Sequence, residues 1–137
     1  MLGTPVSGWS HITIGDFEGS ASYLTDVAND CLKAMIHSLK TGFDFVVSFD
    51  AEGWTFKVIA DEYTTYIIEE KDEAKLYTVE KNRIELAKEI LFDIEDSFDL
   101  WIHWDYIEEF DTDGSELKKE EDRLKKNLET LKEMLKD

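Results

Sequence analysis

Clustered carboxylates, three histidines and one cysteine are the residues of this 137-residue chain that could do chemistry. Glu109-x-Asp111-x-Asp113-Gly114-Ser115, closed by Glu120 at the twelfth position, imitates an EF-hand loop, whose oxygen ligands alternate along the chain around calcium. Two substitutions weaken the match. Glu replaces Asp at the first position, and Glu116 fills the eighth, usually apolar. A solvated turn with Asp113 or Ser115 as cap of the next helix accounts for the same residues. Paired carboxylates could serve acid–base or glycosidic chemistry, but with 32 Asp and Glu, neighbouring pairs follow from composition alone. The sequence holds no nucleophile elbow, P-loop, dinucleotide fingerprint or zinc-protease helix. His11, His37 and His103 lack ligand spacing with one another or with Cys31. His103 follows Asp99 by four and Asp96 by seven, and charge balance explains it. The expectation is a protein that is not an enzyme and uses no metal and no cofactor.

Charge is the stronger signal. The stretch Asp93–Glu116 holds ten carboxylates and no Lys or Arg, more than half of the net charge of −17. Like charges at this density repel one another and oppose compaction, so a cationic partner would explain their concentration. Phe98, Trp101, Trp104, Tyr106 and Phe110 are interleaved with them. Aromatic anchors ringed by charge suit a protein interface, the rings supplying affinity and the carboxylates steering. The candidate partner-binding residues are Asp96, Asp99, Trp104, Asp105, Tyr106, Glu108, Glu109, Asp111 and Asp113. A cationic protein fits such a surface. Nucleic acid does not, because its phosphates need Lys and Arg, and an anionic membrane fails for the same reason.

Length and composition set the frame for these residues. With 42% hydrophobic and 12% aromatic residues the chain can bury a core, and 137 residues make one domain. A lone cysteine permits no internal disulfide and fits a reducing cytoplasm. The start lacks a basic, apolar leader, and no apolar run approaches the length of a membrane span. The expected location is cytoplasmic.

The elements follow from period and punctuation. Trp9 to Ile14 and Phe17 to Leu24 read as a hairpin turned at Gly15-Asp16. Thr25 or Asp26 caps a helix carrying Val27, Cys31, Leu32, Met35, Ile36 and Leu39 on one stripe, closed by Gly42. Three alternating strands begin at Phe43, Trp54 and Tyr63, and a short sixth covers Leu76 to Val79. Ile84, Ala87, Ile90, Leu91, Ile94, Phe98 and Trp101 then mark a long helix. Its continued period would bury Asp105, so it should leave the core near Ile102 to Asp105. A final helix follows, with Leu117, Leu124 and Leu131 seven apart. The expected architecture is α+β: an antiparallel meander sheet of five or six strands, one helix after strand two, and two C-terminal helices. Within 1–137, residues 1–80 supply sheet and first helix, 81–110 the long helix, and 115–137 a helix docked on the domain.

Small, acidic and α+β in design, the chain is similar to bacterial immunity proteins. The run Gly8-Trp9-Ser10-His11-Ile12-Thr13-Ile14-Gly15-Asp16-Phe17, with Ser22-Tyr23-Leu24-Thr25-Asp26 after it, resembles the start of wall-associated toxin immunity proteins of Gram-positive bacteria. The resemblance implies a one-to-one complex with a toxin domain, often a basic RNase or DNase, blocked at its active site or beside it. No functional residue transfers by the resemblance, since immunity families share no binding motif. The alternative from another class is a calcium-responsive or adaptor module built on residues 109–120.

Overall fold

Local side-chain chemistry sets the element boundaries in the computed structural model, which describes residues 1–103 and 114–136. Gly15, at φ 57°, turns β1 (Trp9–Ile14) into β2 (Phe17–Ser22), with Trp9 opposite Ser22 and Ile14 opposite Phe17. Asp26 caps α1 (Val27–Thr41), its Oδ1 accepting from the Asn29 N–H at 3.4 Å. Gly42 closes that helix in the left-handed region, at φ 82°, which costs a residue without Cβ little. Arg83 clamps the same end, donating from Nη1 to the Phe43 carbonyl at 2.9 Å and the Ser38 hydroxyl at 3.3 Å.

Strands β3 (Phe45–Asp50), β4 (Thr55–Ala60), β5 (Thr65–Glu70) and β6 (Ala74–Val79) form an antiparallel meander in chain order. Aspartates hold two of its turns. Asp50 Oδ1 accepts from the Glu52 N–H, and Asp61 Oδ1 from those of Tyr63 and Thr64, each at 2.7 Å. Alternation buries Phe45, Val47, Phe49, Phe56, Val58 and Ile67 on one face, against which α1 packs at β3.

The α+β class matches the sequence, but the single meander sheet of five or six strands needs correction. Among the described residues six strands form two sheets, β1-β2 apart from β3-β4-β5-β6. After β2 the chain departs into α1 and returns at β3, so the hairpin does not extend the meander by hydrogen bonds. Instead it lays its apolar face on the core. The Phe17 ring lies 5.0 Å from Phe56 and 5.3 Å from Tyr77. A Cβ at Gly19 would come within 2.9 Å of Phe17 and 3.1 Å of Phe56, so this close approach of β2 to β4 favours glycine there.

The long helix expected over 81–110, of which 104–110 lie outside the described residues, also needs correction. Asn82 caps α2 (Arg83–Asp96), accepting from the Glu85 N–H at 2.9 Å, and the helix stops at Ser97. A short α3 (Phe98–Ile102) follows. The buried stripe of α2 is Leu86, Ala87, Ile90 and Ile94, while Ile84 is exposed. In a straight continuation Ile102 would lie about 80° round the helix from Ile94. The break at Ser97 lets adjacent Trp101 and Ile102 both enter the core.

α4 (Ser115–Met134) buries Leu124, Leu128 and Leu131 and packs mainly against α1. Asn127 and Arg123 reach that helix, the latter with Nη1 3.8 Å from Asp26. Among the described residues no helix is long and apolar enough to cross a membrane.

Candidate functional site

The last turn of α2 and the short α3 position the described part of the acidic stretch. Asp93 faces inward, its Oδ2 accepting from the Met1 amine at 2.9 Å and the Leu2 N–H at 3.0 Å. Glu95 faces α4, with Oε1 3.7 Å from Lys132 Nζ. Asp96 and Asp99 point to solvent with no cation at ion-pair distance among the described residues. The turn therefore divides its carboxylates: two are tied to neighbouring elements and two are open.

Position makes Asp96 costly, whereas Asp99 lies in the first turn of α3. Glu95 and Asp96 close α2, and no basic residue occupies its last turn. The carbonyl end of a helix carries partial negative charge, so each carboxylate there is disfavoured by ~0.3–1 kcal/mol where cations would be favoured. Apolar surface accompanies the charge, for Phe92 is 68% exposed and Leu100 50%. Leu100 shares a shallow depression with Asp96, Phe98 and Asp99. On the inner side, Phe98 and Leu128 floor a groove of about 270 Å³ walled by Glu95, Lys125, Glu129 and Lys132. Mixed charge thus borders the inner edge and carboxylates the outer edge.

Of the sequence candidates, Asp96 and Asp99 are brought together here. Trp104, Asp105, Tyr106, Glu108, Glu109, Asp111 and Asp113 lie outside the described residues. Phe98 is half-buried and Trp101 buried, so both serve the core. His103 ends α3, exposed. Residues 109–113 of the calcium-loop pattern are likewise outside the description. Of its remainder, Glu120 lies 2.9 Å from Arg123 and Glu116 3.2 Å from Lys119, both ion pairs along α4. Among the described residues no group of three His, Cys, Asp or Glu could hold a metal ion. Cys31 is fully buried, and burial pushes its thiol far above the ordinary range, with Asp30 and Asp26 adding to the shift.

One surface escapes the sequence pattern. Alternation assigns a single apolar face to each strand and passes over Val46, Ile59, Tyr66 and Ile68, which lie on the opposite face. The signal was present in their types, since half-polar strands seldom carry β-branched residues at both parities.

Compared with known proteins, the chain matches no family model, no curated protein and no solved structure.

Proposed function

We propose that this protein binds and neutralises a cationic protein, in the manner of an immunity protein acting on a basic toxin domain, with a nuclease the leading class. The observation that carries the proposal is the open pair Asp96 and Asp99, the first kept at the unfavourable end of α2, with Phe92 and Leu100 exposed on the same segment. Residues placed against local stability are expected where function requires them. Open carboxylates suit steering, which raises association rates by about 10- to 1,000-fold and weakens with salt. An inhibitor of a nuclease must reach it before RNA or DNA does, and an acidic surface offers the enzyme the same sign of charge as a phosphate track. Binding rather than catalysis fits carboxylates on an open rim, since acid–base residues work in clefts that perturb them.

The experiment is association kinetics against a purified basic toxin domain, with Asp96→Lys plus Asp99→Lys beside the wild type. The association rate at low salt should fall by about one order of magnitude or more while the fold survives. An unchanged rate at low salt removes this surface from the interface.

A further inference from the structure

The face of the four-stranded sheet turned away from α1 carries an apolar band with acidic ends. Register aligns Val46, Ile59, Tyr66 and Thr78 in one row and Ser48, Lys57, Ile68 and Leu76 in the next. Val46 is 50% exposed and Leu76 62%, and Ile59, Tyr66 and Ile68 are half-buried. Asp50 and Glu70 stand in the third row. At the other end of the strands, Asp44 and Glu80 are exposed and Asp61 half-exposed. Lys57 is the one cation within these rows. Contiguous apolar surface of this kind, rimmed by polar groups, marks a contact site.

We propose that this sheet face is a second docking surface, taking a protein that presents an apolar centre flanked by Lys and Arg. Charge complementarity selects that occupant. A second copy stacked face to face would set the carboxylate ends of one sheet against those of the other, in a chain already at −17. Anionic headgroups and nucleic acid meet the same repulsion. A protein with cations at its rim would gain at both ends and bury Val46, Ile59, Ile68 and Leu76 between them. The surface is independent of Asp96 and Asp99, which lie with the helices.

The test uses the protein fraction that a cation exchanger retains from cells expressing this chain. It is applied to immobilised wild type, to Val46→Asp with Leu76→Asp, and to Asp96→Lys with Asp99→Lys, each with wild-type circular dichroism. Val46→Asp with Leu76→Asp adds negative charge, so non-specific capture of basic proteins would rise. The expected result is the reverse: a basic protein held by wild type and by Asp96→Lys with Asp99→Lys is lost about tenfold or more on the sheet variant. Once purified, that protein should bind the sheet variant with Kd raised about tenfold. Should aspartate disturb the strands, Val46→Thr with Leu76→Thr keeps strand-favouring residues and should act in the same direction. Equal recovery on wild type and sheet variant, or no retained protein, overturns the proposal. So does a wild-type dimer in sedimentation that the sheet variant dissolves.

Discussion

Asn127 donates its side-chain amide to Asn29 Oδ1 at 2.9 Å, across 98 positions of sequence, and so joins α4 to α1. Asn29 is buried and also donates from Nδ2 to Asp26 Oδ2 at 3.0 Å, so one amide links the cap of α1 to the last helix. A buried amide left without its partner costs about 1–3 kcal/mol. Asn127→Ala strands the buried Asn29 Oδ1 and should lose about that much in urea unfolding, and Asn29→Ala somewhat less through this bond because the Asn127 amide left behind can turn to solvent. The two together should cost less than the sum of the single changes, since they remove one shared bond.

Under the proposed function, Asp96 gives the fold and the interface opposite interests. Lysine there would meet the negative end of α2 with positive charge and relieve repulsion from Glu95 and Asp99. Asp96→Lys should raise stability by about 0.5–1 kcal/mol in low salt, while weakening binding to a basic partner. Thermal unfolding beside association kinetics reads both effects. A variant that loses stability and binding together would place Asp96 in the structure and not in the interface.

Cys31 should be silent in the native protein. Its side chain is fully enclosed and burial holds the thiol protonated, so the thiolate that attacks an alkylating agent is scarce. Iodoacetamide at pH 8 should modify it only at the rate of opening. Mass spectrometry should show complete labelling in denaturant and almost none in buffer.

Asp30 supplies a pH signature. Partial burial and, after it, the Asp26 carboxylate push its pKa above the ordinary value, and Lys33 opposes them. The folded state therefore holds the proton more tightly than the unfolded one. The stabilisation is full below the ordinary carboxylate pKa and is lost as pH rises through the raised value. Asp30→Asn should accordingly be more stable than wild type near neutrality, with the gap closing as pH falls below the carboxylate range. Paired urea titrations at several pH values check the sign.

Much of the fold is legible in the sequence because it is written in local chemistry. Asp26, Gly42 and Asn82 punctuate helices by satisfying or releasing backbone groups within a few residues. Strand alternation fixes which side chains face the core, but it does not say which strand pairs with which. That is why β1 and β2 read as part of one sheet and instead form a separate hairpin that approaches it closely at Gly19. The break at Ser97 is hidden for a related reason: Ile94, Phe98 and Trp101 keep a helical period straight across it. At the candidate site, composition points to the acidic stretch but not to its division of labour. Asp93 and Glu95 are occupied by Met1 and Lys132, contacts that local sequence does not encode.

Affinity capture from the cells that make this protein tests the central claim most directly. Wild type and Asp96→Lys with Asp99→Lys would be immobilised side by side, eluted by a salt step, and the eluates identified by mass spectrometry. A single basic, toxin-like domain should be held by the wild type at low salt and by the variant at least about tenfold less, with association slowing as salt rises. Equal retention of that domain by the two proteins, or no basic protein held by the wild type at low salt, would contradict the claim.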